Sequence, residues 1–401
     1  MKTLGPGIVV AATSIGSADM IASSVAGSKF GYQLLWAVVI GCILKIALTE
    51  AVGRWHLAGE TMFAGWRRLG RWTTWYFGAF VVIFGFALGA ANMAATALPL
   101  HELFPALPMP AWGILCGLVG LLFVVFNRYA LFERVMMGLV GFMFVTVVGL
   151  AAIMMPDIGA IGRGLVPTVP EGAGPYALAI AGGVGGSITV VAYGYWINAK
   201  GWKGSSWLST MRLGTYVAYT MIGLTSVAMM VFGVVLLHVG ATTSGDASLW
   251  LSEVRGALTD RYGAAVGTWF VVGFFATSIT TLLGVWQGVS LIVTDFARET
   301  WELDVAVSPE RSAPFRLYAA WLTFPPMIML FVSDPVALVI TIGVLGASFL
   351  PFLAITLLFL LNSKSISKQW RSGMVSNTIL AVGAVLFLYL LVQEIGDYVA
   401  G

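Results

Sequence analysis

Charge is what this sequence has least of. Only 10% of its 401 residues are Asp, Glu, Lys or Arg, where a soluble globular chain carries about 25%. So few charges cannot cover a water-facing surface, which excludes a soluble enzyme, a nucleic-acid-binding domain and a disordered scaffold. Cysteine is nearly absent. Cys42 and Cys116 both lie in apolar runs, leaving neither a disulfide framework nor a thiolate metal cluster. The three histidines, His56, His101 and His238, stand far apart near the ends of apolar runs. They lack metal-ligand spacing and read as boundary residues. No phosphate-binding loop is present, so ATP-driven work by this chain alone is unsupported, and neither enzymatic activity nor a cofactor is expected.

What the chain has is apolar length. Hydrophobic residues make up 59% of it, with 24 Phe, 15 Trp and 48 Gly, and the mean hydropathy is +0.92. This describes an all-α integral membrane protein set in the lipid bilayer, with no nucleic acid and no obligate protein partner expected. Eleven apolar runs lie near 4–27, 33–56, 75–98, 109–126, 131–155, 176–197, 213–238, 264–295, 315–332, 336–361 and 374–396. Each is long enough to span as a helix, and they are continuous rather than alternating, which makes helical spans the default over a β-barrel. The first is not a cleaved signal peptide, because Ser14, Ser17 and Asp19 interrupt its apolar core and no polar mature region follows.

Basic residues set the orientation. With the N-terminus inside, sixteen fall on the inner side: Lys2, Arg54, Arg67, Arg68, Arg71, Arg128, Arg134, Lys200, Lys203, Arg212, Arg298, Arg311, Arg316, Lys364, Lys368 and Arg371. Four, Lys29, Arg163, Arg255 and Arg261, fall outside, and Lys45 lies within a run. The asymmetry predicts a cytoplasmic N-terminus in the cell membrane, with Glu394 and Asp397 near an external C-terminus.

Two runs are interrupted. The first is broken by Ser14-Ile-Gly-Ser-Ala-Asp19, the sixth by Gly182-Gly-Val-Gly-Gly-Ser187. Each glycine weakens a helix by about 1 kcal/mol relative to alanine. The broken runs are five helices apart, an odd number, so runs 1–5 and 6–10 have opposite orientation. The chain thus divides into a first five-helix repeat over 1–156, an inverted second repeat over 157–362 and a C-terminal helix over 363–401, together one transport domain. Broken helices at matching positions of inverted halves mark a transporter site at the midplane. The alternative is that the glycines only allow close helix packing.

Asp19 is the only acid of the first run and lies near mid-depth. An ionised carboxylate there costs at least about 2.5–3.5 kcal/mol unless it faces a cavity or a partner. Gly16, Ser17 and Ser14 beside it, with Gly185, Gly186, Ser187, Ile188 and Thr189 at the second break, supply carbonyls and hydroxyls, an oxygen set suited to hard cations. Asp19 also suits capping of the second half of its helix, and both roles are compatible. Lys45 falls level with Asp19. It pairs with Asp19, or with Glu50, or Glu50 reaches toward the inner surface; the sequence leaves these open. Tyr193, Tyr195, Trp196 and Asn198 line an inner path, or Trp196 anchors at the interface beside Lys200. Gln287 and Trp286 reach a central cavity or serve packing.

These residues carry a family resemblance. Leu4-Gly-Pro-Gly-Ile-Val-Val through Gly31-Tyr-Gln-Leu-Leu-Trp36, Leu57-Ala-Gly-Glu-Thr-Met-Phe-Ala-Gly-Trp66, and Ser333-Asp-Pro-Val-Ala-Leu into Leu350-Pro-Phe352 resemble the Nramp metal-transporter family. The resemblance implies a LeuT-like fold, two inverted five-helix repeats plus one extra C-terminal helix. The departures fall on the site. The family's Asp-Pro-Gly-Asn aligns with Gly16-Ser17-Ala18-Asp19, and its Met-Pro-His with Ile188-Thr189-Val190. A glutamine aligns with Gly343, and two acids of its proton route with Ala90 and Met93. Loss of the thioether argues against tight selection of Mn²⁺ over Mg²⁺ or Ca²⁺. The expectation is a secondary active or facilitated transporter of divalent cations of the Mg²⁺/Mn²⁺ type, working by alternating access. Its rival is a transporter of a small organic solute, an amine or amino acid, which Lys45 and the aromatics favour.

Overall fold

The computed structural model describes residues 5–126, 129–237, 247–303, 308–332 and 335–400. Lys2, Leu4, Arg128, His238, Ser333 and Asp334, and the side chains at positions 343, 394 and 397, lie outside the described residues.

The described chain is helical. In order it forms α1 (Gly5–Ser14), α2 (Ser17–Phe30), α3 (Leu35–Leu57), α4 (Met62–Leu69), α5 (Arg71–Leu103), α6 (Met109–Phe126), α7 (Tyr129–Ile153), α8 (Ile158–Arg163), α9 (Gly174–Gly183) and α10 (Thr189–Ala199). Then follow α11 (Leu208–Phe232), α12 (Ala247–Tyr262), α13 (Ala264–Trp301), α14 (Ala313–Thr323), α15 (Met329–Val332), α16 (Pro335–Asn362) and α17 (Met374–Ala400). Seven stretches are long and apolar enough to cross a membrane, and α1 with α2, bent by 57° at their junction, make an eighth. α16 and α17 contribute the shorter apolar stretches Ser348–Asn362 and Met374–Tyr389. α9 and α10, of 10 and 11 residues, are each too short to cross alone and share the position of the sixth run. Every one of the eleven runs therefore has a helical counterpart.

The helix neighbours repeat with an offset of five spans. α3, which follows the first broken helix, lies against α9 and α10; α11, which follows the second, lies against α1 and α2. α7 flanks α1 as α16 flanks α9, and α6 meets α13 as α14 meets α5. Such an exchange of partners is what two inverted halves produce. α17 adds itself to α3 and α16, outside the repeat. Close approach of backbones holds the halves together. A Cβ on Gly7 of α1 would lie 2.4 Å from the Gly214 carbonyl oxygen of α11, so that crossing requires glycine.

Charged residues sort to two ends. Glu50 pairs with Arg54 at 2.8 Å and Arg212 at 2.9 Å, and Glu133 pairs with Lys200. Arg54 also donates to the carbonyls of Trp370 and Arg371. At the other end Arg255 pairs with Glu102 at 2.8 Å, Arg163 with Asp157 at 3.8 Å, and Lys29 donates to the Tyr176 hydroxyl.

Candidate functional site

Both breaks follow from their glycines. Ile15 and Gly16 separate α1 from α2, and Gly16 is extended at φ −88°, ψ 154°. Asp19 sits in the first turn of α2, where unpaired N–H groups favour a carboxylate. Residues 184–188 separate α9 from α10, with Gly185 at φ +83° and Gly186 at φ +64°, left-handed conformations that glycine adopts without strain. α1 lies against α10 and α2 against α9, which brings the breaks face to face. A Cβ at Gly183 would stand 2.7 Å from Asp19 Oδ1. Glycine there admits the carboxylate.

A cavity of about 110 Å³ lies between them. Of the residues expected from sequence, Ser14, Gly16, Ser17, Asp19, Gly186, Ser187, Ile188 and Thr189 line it. The Ser14 and Thr189 hydroxyls are 3.3 Å apart across the two breaks. Three polar lining residues were not anticipated: Thr13, Asn92 and Thr281. The Thr13 hydroxyl is buried without a hydrogen-bond partner. Thr281 donates to the Ile15 carbonyl at 3.2 Å, securing the first break to α13. Asn92 turns its amide to the Leu88 carbonyl. A sequence signal existed for Asn92. Leu88, Ala91, Asn92 and Ala95 all line the cavity, and their spacing is one face of a helix.

Five expected residues lie elsewhere. Gly185 is in the break but abuts the Tyr219 ring. Lys45 is fully buried and forms no ion pair with Asp19 or Glu50. Its Nζ donates to the carbonyls of Gly182, at 3.0 Å, and Gly186. Glu50 belongs to the arginine cluster at one end. Tyr193 is fully buried and donates to the Met211 carbonyl at 3.0 Å, so it seals the path rather than lining it. Gln287 accepts from the Trp196 indole N–H. It stands two residues past Val285, which lines the cavity with Thr281, and residues two apart do not share a helix face. Trp196 is itself fully buried, which corrects the interface-anchor reading. His56 is buried too, with Nδ1 3.0 Å from the Asn198 amide; it is a core residue, not a boundary one.

The cavity offers one carboxylate and several hydroxyls. Ile188, 1% exposed, presents hydrocarbon. Among the described residues no three of His, Cys, Asp or Glu gather in one place. An ion here would meet Asp19 and the hydroxyls of Ser14, Ser17, Ser187 and Thr189, an all-oxygen set that ranks hard cations above thiophilic ones.

The sequence matches the model of the natural resistance-associated macrophage protein-like family, Nramp, over residues 7–395. It is 24% identical over 316 residues to the divalent metal cation transporter MntH of Mycobacterium leprae, covering 72% of this chain and 70% of that one. To MntH of Chromohalobacter salexigens it is 26% identical over 302 residues, covering 70% and 68%. The structure superposes on the Eremococcus coleocola manganese transporter, bound to an aromatic bis-isothiourea compound, with a TM-score of 0.82 at 15% identity, over 100% of this chain and 87% of that one. MhsT in complex with L-phenylalanine gives 0.60 at 14% identity, over 97% and 98%. These likenesses establish a LeuT-like fold of two inverted five-helix repeats and an extra C-terminal helix.

Proposed function

The chain belongs to the Nramp family, and from that premise we propose that it carries divalent metal cations across a membrane by alternating access, with Asp19 as the charged ligand. The observation that supports this most is the cavity at the facing breaks, where one carboxylate stands among hydroxyls. Relatives named as divalent metal cation transporters agree with that oxygen set. The rival, a small organic solute, is not favoured by the family.

Gly16, Ser17, Gly186 and Ser187 complete the site, with Ser14 and Thr189 bridging the two breaks. Gly185 shapes the second break from behind. Residues 1–156 and 157–362 are the two repeats and 363–401 the appended helix. The protein sits in the cell membrane with its N-terminus and the arginine-rich end cytoplasmic, following the basic asymmetry. Cargo choice follows from chemistry. One carboxylate and no thioether suit an ion that keeps some of its water, as Mg²⁺ does, and give Mn²⁺ no special hold.

Competition uptake into proteoliposomes, with Mn²⁺, Mg²⁺ and Ca²⁺ against one another, tests both parts. Uptake of divalent ions with Mn²⁺ favoured less than about a hundredfold, roughly 2.7 kcal/mol, is the expected result. No uptake of any divalent ion defeats the carrier reading, and a larger Mn²⁺ preference defeats the account of Ile188.

A further inference from the structure

Lys45 is the fully buried cation beside the second break, and its chemistry is unusual for that place. Its ammonium donates to the carbonyls of Gly182, in the last turn of α9, and Gly186, within the break. The end of a helix leaves carbonyls without intrahelical partners and favours a positive charge. Those oxygens are what an unwound segment offers to a metal ion. Here a side chain already holds them. Asp19 approaches the same backbone from the cavity side, at Gly183, so one short strand of glycines separates the carboxylate from the ammonium. Of the other charges on the surrounding helices, Glu50, Arg54, Arg212, Glu133 and Lys200 pair among themselves at one end, and Asp295 accepts from the Tyr195 hydroxyl farther along α13, beyond Val285. The field at the cavity is set by Asp19 and Lys45.

We propose that Lys45 is the residue that determines how tightly the cavity holds cargo of a given valence: a resident cation that takes the helix-break carbonyls for itself and repels the incoming ion from behind. This rests on the reading of the protein as a cation carrier. Repulsion scales with the charge of the incoming ion, so a divalent ion feels twice the energy a monovalent one does. The consequence is quantitative. Removing the charge of Lys45 raises the association constant for a divalent probe by the square of the factor for a monovalent probe.

Lys45→Gln keeps an amide donor for the carbonyls and removes the charge; Lys45→Met, apolar throughout, repeats the comparison should the glutamine variant fold poorly; Lys45→Arg keeps the charge. Binding of Mn²⁺ and of Tl⁺ to the purified full chain is measured by titration calorimetry, with melting temperature alongside. The expected result is Mn²⁺ binding at least tenfold tighter in a neutral variant, a gain for Tl⁺ near the square root of that, and an arginine variant within about twofold of wild type. Equal gains for both ions, or no gain in a variant that melts normally, overturn the proposal. So does absence of binding of either ion to both neutral variants. Tighter Mn²⁺ binding by Lys45→Gln without Mn²⁺ uptake by the wild type would keep the role of Lys45 and remove the carrier reading. Uptake by the wild type with unchanged affinity in the variants would do the reverse.

Discussion

Asp19 earns its place by geometry rather than by rarity alone. Its carboxylate sits in the first turn of α2, abuts Gly183 across the breaks and faces the cavity. Asp19→Asn keeps the shape and removes the charge. Lys45 keeps its bonds to two carbonyls in the variant, and a neutral side chain at mid-depth is easier to insert than a charged one. The expected outcome is normal expression and a melting temperature close to wild type, with uptake near background. Wild-type uptake by the variant would exclude Asp19 as a ligand; poor expression would mean that its charge stabilises the fold more than this geometry implies. Sequence placed Lys45 level with Asp19 and left its partner open. A carbonyl acceptor has no residue-type signature, so the bond to Gly182 and Gly186 could not be read from side chains.

At the scale of helices, the breaks at Ser14–Asp19 and Gly182–Ser187 were legible because polar and glycine-rich segments interrupt apolar runs at matching positions of the two halves. Apolar length gave the spans for the same reason. What sequence missed was which face of each unbroken helix turns inward. α5 shows why. Ala90 and Met93 are buried against neighbouring helices, while Asn92 between them lines the cavity. In a membrane helix apolar residues face both lipid and protein, so the hydrophobic stripe that orients a soluble helix is weak. Trp196 and His56 were misplaced for a related reason. Amphipathic side chains near span ends suit an interface, yet here each finds a buried polar partner, Gln287 and Asn198.

The whole molecule is asymmetric from end to end. Lys368 is exposed in the turn before α17, on the end where Arg54 meets the Trp370 and Arg371 carbonyls. With that end cytoplasmic, a cysteine introduced as Lys368→Cys in a chain lacking Cys42 and Cys116 should resist a membrane-impermeant maleimide in intact cells and react after permeabilisation. Ready labelling in intact cells would invert the topology. The two opposite charges at the breaks have a further effect, on the electrical side of the cycle. With Asp19 ionised and Lys45 protonated, the empty centre sums to zero, and its return moves no net charge through the field. A loaded centre moves two. Each elementary charge is worth about 2.3 kcal/mol per 100 mV, so a divalent cargo gains about 4.6 kcal/mol per 100 mV, a little over three decades of accumulation. A negative potential inside the vesicle, set by potassium and valinomycin, is therefore expected to drive ion accumulation without any second gradient. Accumulation that ignores the imposed voltage would mean that a countercharge travels with the ion.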